Sequence, residues 1–163
     1  MHRPTINLKR TTKDKFLITI TLLAVVLSFV LVIMHYSDLP NDIARHFDGQ
    51  GNPNVIESKT SLVALPIISL IITTFMLLLC KIPQSFNYLT EITPDNAKFQ
   101  YSLAILMMRL LAMITALMSL HLTYEIIEVG LGNKEKLASF FLSIWMSLIG
   151  IVIIWYFIKA SKN

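Results

Sequence analysis

Four side chains between residues 35 and 48, His35, Asp38, His46 and Asp48, are of the types that bind ions and move protons. If they converge, two imidazoles and two carboxylates offer a nitrogen and oxygen ligand set to a metal. They lack a His-Glu-x-x-His spacing, and no Gly-x-Ser-x-Gly supplies a hydrolase nucleophile. A second set, His121, Glu125 and Glu128, recurs at i, i+4 and i+7 and so shares one helical face. Either this face is a helix end reaching water, which the Gly130-Leu131-Gly132 stop supports, or His121 and Glu125 pack beneath His46 and Asp48 as one polar site. Arg109 is the third candidate, a lone cation inside a long apolar run.

The segment that presents the first set, residues 35–59, also holds Pro40, Pro53, Gly49, Gly51 and four carboxylates. Pro40 to Arg45 suits a short helical turn with proline at its first position. Asp48-Gly49 and Gly51-Asn52-Pro53 read as tight turns, and Val55-Ile56 as a short extended piece. The segment is therefore expected to be an ordered cap. Its polar residues have three readings. Asp48 and Asn52 satisfy turn backbone while His46 packs on Phe47 and Lys59 snorkels to headgroups. Alternatively His46, Phe47, Asp48, Gly51, Pro53 and Lys59 form a binding surface, or the His and Asp side chains hold a metal.

The elements that must position these residues are set by hydropathy. Of 163 residues 55% are hydrophobic and 15% charged, with a mean hydropathy of +0.65, which excludes an ordinary soluble domain. About 20 apolar residues of helix cross a bilayer. Four such runs occur, at about 16–34, 60–80, 101–127 and 137–158. The first follows a basic stretch, but Met34-His35-Tyr36-Ser37 offers no small-x-small cleavage site, so it is read as an anchor. Arg3, Lys9, Arg10, Lys13, Lys15, Lys81, Lys98, Lys159 and Lys162 then fall on one side, against Arg45, Lys59, Lys134 and Lys136 on the other. Positive charge stays cytoplasmic, so both termini are expected inside and the 35–59 cap outside. The basic balance is thus topological, with no nucleic-acid surface. One cysteine, Cys80, cannot serve a membrane disulfide shuttle, which needs pairs.

On the inner side, Thr93-Pro94-Asp95 is a helix start, combining a capping hydroxyl, an N-terminal proline and an acid at the positive dipole end. The third helix should begin below the membrane and run from about Pro94 to Glu128, with Tyr101 as an interfacial anchor. Pro66 is placed to kink the second helix near its outer end. Arg109 follows Pro94 by 15 residues, about 22 Å along the helix. It should snorkel to headgroups or pair with the loop between Asn87 and Asn96. The Met side chains of the spans read as packing.

Leu39-Pro40, Ile43, His46-Phe47-Asp48, Gly51-x-Pro53 and Ser58-Lys59 resemble the signature of a bacterial membrane domain of unknown function. That domain also forms the N-terminal part of immunity proteins against the sporulation-delaying toxin. Asn87-Tyr88, Ile92-Thr93, Asn96-Ala97 and Gln100-Tyr101 resemble the standalone members. Ala44 and Leu89 stand where prolines are usual. The resemblance implies protection against, or sensing of, membrane-active peptides; the immunity proteins carry further helices after the shared domain.

The expected molecule is an all-α, four-helix integral protein of the bacterial cytoplasmic membrane, with no cofactor. Its expected partners are the lipid bilayer, an extracellular peptide and a cytoplasmic regulator. The alternatives are a membrane hydrolase or metal enzyme using the outer His and Asp residues, and a small transporter. Against the last, spans one, two and four carry no mid-membrane carboxylate.

Overall fold

The computed structural model describes residues 3–161, so Lys162 of the basic tail lies outside the described residues. Four helices are long and apolar enough to cross a membrane. The first, α1, covers Thr12–His35 and opens on a capping box: Thr11 Oγ1 accepts from Asp14 N–H, and Asp14 Oδ2 accepts from Thr11 N–H. A 3-10 turn over Lys59–Val63 leads into α2, Ala64–Leu79. Pro66 stands in the first turn of α2, where its missing N–H costs no helical bond. The remaining helices are α3, Ala97–Gly130, and α4, Phe141–Ala160.

At 34 residues α3 is about 51 Å long and exceeds a hydrocarbon core of about 30 Å. It is the element on which α1, α2 and α4 all pack. The helix begins three residues after Pro94, and its N-cap Asn96 makes no side-chain capping bond, so the expected Thr93 cap closes the turn before the helix instead. Thr93 Oγ1 accepts from Asn96 N–H while Asn96 Oδ1 accepts from Thr93 N–H. Tyr101 departs from expectation. It is fully buried, and its hydroxyl donates to Pro4 O at 3.0 Å, because the N-terminal segment folds back over α3. Gln100 Nε2 donates to Ala160 O at 3.1 Å, so both described chain ends meet the beginning of α3. We call this the termini end.

At the opposite end the segment between α1 and α2 is a β-hairpin, β1 (Asp42–Phe47) antiparallel to β2 (Pro53–Ser58), so the protein is mostly rather than wholly helical. The Val55-Ile56 extension is found within β2. Pro40 to Arg45 makes no helical turn: Ile43 must reach the core while its backbone pairs with Glu57, which only an extended chain achieves. The ladder shifts register across Arg45, a bulge between the pairs Ala44–Ile56 and His46–Val55.

Leu39 and Ile43 enter a core with Val32, Leu62, Ile126 and Ile127, which seats the hairpin root on α3. Gly130 permits this approach, since a Cβ there would stand 2.7 Å from Leu39 Cδ2. The hairpin tip is tied to the α3–α4 connection by Leu137 N–H donating to Gly51 O at 3.0 Å. Gly51 has φ +85°, and a Cβ on it would lie 2.9 Å from the Leu137 carbonyl oxygen. Gly51→Ala is therefore expected to cost about 1–3 kcal/mol and to raise proteolytic cleavage at residues 133–140, read by thermal unfolding and limited proteolysis in detergent.

Candidate functional site

The polar residues of the hairpin end separate into a buried junction and an exposed strand pair. The junction centres on Glu125, whose side chain is 2% exposed. Its Oε1 receives Lys134 Nζ at 2.6 Å and stands 3.4 Å from His121 Nε2; its Oε2 accepts from Ala138 N–H at 3.1 Å. Trp145 Nε1–H of α4 donates to His121 Nδ1 at 3.2 Å. That bond makes Nδ1 an acceptor and turns Nε2 to the side of the Glu125 carboxylate. The hydrogen bond to Glu125 also raises the Lys134 ammonium above the ordinary lysine range, and Lys134 lies over the Tyr124 ring.

Consecutive amides divide the work here: Leu137 N–H holds the hairpin tip and Ala138 N–H holds Glu125. The expected single polar site of His121 and Glu125 with His46 and Asp48 is not formed; the hairpin tip meets this segment through backbone instead. His46 and Asp48 take no part in it, because their side chains are used inside the hairpin. His46 points to solvent, 62% exposed, 3.7 Å from Glu57 Oε1 across the ladder. It does not pack on Phe47, which turns the other way against the hairpin-end core. An ion pair so exposed contributes little stability.

Asp48 organises the turn: Oδ1 accepts from Gln50 N–H at 2.8 Å and Asn52 N–H at 2.9 Å, and Oδ2 from Asn52 Nδ2 at 3.0 Å. The Asn52 side chain foremost, with these amides, holds the Asp48 carboxyl below its ordinary range. Lys59 is a clasp for the end of α1, donating to Tyr36 O at 3.1 Å and Leu39 O at 2.9 Å and covering the Tyr36 ring. Its ammonium thereby satisfies helix-end carbonyls instead of snorkelling to headgroups. Burial lowers the Arg45 guanidinium, opposed by Glu57. Pro53 pairs with Phe47 at the start of β2 and is exposed. Asp38 accepts from Ser37 Oγ. Among the described residues no three His, Cys, Asp or Glu side chains gather as a metal site, so His35, Asp38, His46 and Asp48 do not converge.

At the termini end Arg109 forms an ion pair with Asp14 of α1, both largely buried. It therefore neither snorkels nor meets the 87–96 loop. Asn96 serves its own turn, donating to Glu91 O at 2.9 Å, and Asn87 is exposed. The Asp14 partner had a readable signal in Thr11-x-x-Asp14, a capping box that brings an acid into the first turn of a span. Sequence reasoning also passed over Arg3, which donates to Gln84 O and Phe86 O and lies 5.6 Å from the centre of the Tyr88 ring. Burial, reinforced by the neighbouring Tyr156 and Tyr101, pushes the Tyr88 hydroxyl well above the usual phenol range.

Residues 23–70 match a family described as a domain of unknown function, DUF1648. The match takes in the second half of α1, the hairpin and the beginning of α2; Arg109, His121 and Glu125 fall outside it. No curated protein and no solved structure matches the chain. Within the matched segment Leu39, Ile43, Gly51, Asp48 and Lys59 all have structural work, which leaves His46 and the outer strand as the surface free to differ in function.

Two measurements follow from this geometry. Asp14→Asn removes one partner of a buried pair and is expected to cost about 3–5 kcal/mol, much of it recovered when Arg109→Met is combined with Asp14→Leu; denaturant unfolding in micelles reads it. Because the folded Asp48 carboxyl lies below its unfolded value, the turn's stabilisation is complete above the ordinary aspartate range and fades as pH falls through the lowered value. Gly51 and Asn52 amide shifts should therefore hold down to about pH 4 and move below it, and Asp48→Asn should abolish that transition.

Proposed function

We propose that this is a protein of the bacterial cytoplasmic membrane that recognises a membrane-active peptide with its hairpin, presented outside the cell while both termini remain inside. Charge supports the orientation. Among the described residues the termini end holds nine basic side chains and three acidic ones, and the hairpin end four basic and seven acidic. The observation that carries the recognition reading is the state of β2. The sheet has two strands, so the outer edge of β2 has no strand partner among the described residues. Val55 and Ile56, on opposite faces, are 42% and 72% exposed.

A free edge of this kind adds an extended peptide through main-chain hydrogen bonds, with alternate side chains setting specificity. The inner strand β1 is seated on α3, so the edge is held rigidly and little ordering entropy opposes binding. The exposed His46–Glu57 pair borders the same strand and suits polar contacts with such a peptide. The resemblance to toxin-immunity proteins favours a membrane-active peptide as the partner, with a cytoplasmic regulator as the recipient of the signal. The hydrolase and metal-enzyme alternatives gain no support, since the side chains they require are engaged separately in the turn and the strand pair.

A deletion strain challenged with membrane-active peptides tests the reading. The wild-type gene is expected to restore resistance, and Ile56→Lys, which places a charge on the open edge, to lose it at an equal membrane level; His46→Ala should weaken it. Equal protection by Ile56→Lys, or no protection by wild type, would refute edge recognition.

A further inference from the structure

At the termini end α1 and α3 leave a groove of about 440 Å³, lined by Thr12, Lys13, Phe16, Leu17, Leu106 and Leu110. That volume falls within the roughly 300–1,000 Å³ of small-ligand sites. Its walls are a narrow face of each helix: positions 13, 16 and 17 on α1, and 106 and 110 on α3. The Asp14–Arg109 pair lies one residue away on each wall, next to Lys13 and Leu110, and fixes their separation. The wall surface is wholly apolar; Thr12 and Lys13 border one end, Lys13 with the stem of its side chain.

Charge at that end is strongly one-sided. Lys9, Arg10, Lys13 and Lys15 are all exposed, and the ion pairs of the described residues engage none of them. The only acid among them, Asp14, is already committed to Arg109 and Thr11. An apolar channel at the first turn of a membrane-spanning helix, under a cluster of free cations, has the shape and charge of an amphiphile with an anionic head.

We propose that this groove is a binding site for an anionic phospholipid, one acyl chain lying between Phe16, Leu17, Leu106 and Leu110 and the phosphate facing Lys13. The Asp14–Arg109 pair acts as a positioning element that holds the walls apart and takes no part in binding the head. Occupancy would tie α1 to α3 in membranes rich in such lipids.

Native mass spectrometry of the full chain, released from micelles containing equal amounts of phosphatidylglycerol and phosphatidylcholine, tests the assignment. Wild type is expected to retain phosphatidylglycerol preferentially, and Lys13→Gln to reduce that preference about fivefold, the weight of one lysine at a charged surface. Leu110→Trp, which fills the groove, should abolish retention while helix content is unchanged; Leu106→Phe, a smaller intrusion, serves if Leu110→Trp fails to fold. No preference in wild type would overturn the proposal. So would a preference that Lys13→Gln lowers but both groove-filling variants leave intact, because the lipid would then be only a loose counter-charge on the basic surface.

Discussion

Glu125 has a side chain only 2% exposed, and a buried carboxylate is tolerated only when donors replace its hydration. Two donors come from two places, Lys134 nine residues later in the chain and the Ala138 amide on the connection to α4. His121, one turn earlier on the same helix, stands 3.4 Å from the same carboxylate. Satisfying one carboxylate therefore fixes the whole path of the chain from α3 to α4. The amide before Ala138 holds the hairpin tip, and the imidazole on the near side holds Trp145. The hairpin, the α3–α4 connection and the first turns of α4 are in register because they share this one charge. The recognition surface proposed on β2 would inherit rigidity from there.

The other end of α3 solves a similar problem with a different geometry. Arg109 lies inside an apolar helix, yet the first turn of α1 supplies the acid it needs, and that same acid caps α1. One side chain thus pairs with a cation and caps a helix N-terminus, while the buried Arg109 Nε has no hydrogen-bond partner among the described residues. Because α1 is shorter than α3 by ten residues, this pairing also sets how far α1 is offset along its longer partner. The basic residues around Asp14 are left exposed, and they give the termini end its charge.

Periodicity and hydropathy made the four helices readable, since each needs only a run of apolar residues. The turn at Asp48 was readable because asparagine, glycine and proline act locally. The i, i+4 relation of His121 and Glu125 was likewise local, and it survives in the structure. What escaped is non-local. Nothing near Lys134 announces that it returns to Glu125, and the acid for Arg109 lies 95 residues earlier in a segment whose charge otherwise reads as basic. Tyr101 reads as an interfacial anchor until the N-terminal segment covers it. Pro40 to Arg45 has the composition of a helical turn, but the burial of Ile43 and pairing with β2 override it. His46 and Asp48 suggested a shared polar site by residue type alone, whereas strand alternation and the turn send them apart.

The central claim is that the Glu125 carboxylate mechanically joins the hairpin tip to the α3–α4 connection. Site-resolved hydrogen exchange of the protein in nanodiscs, wild type against Glu125→Gln, tests it most directly. The account predicts that the amides of Leu137, Ala138 and the turn residues Asp48–Asn52 lose protection together, while amides in the α1–α3 seam around Arg109 keep theirs. Unchanged protection at Leu137 and in the turn, with exchange confined to Ala138, would contradict it.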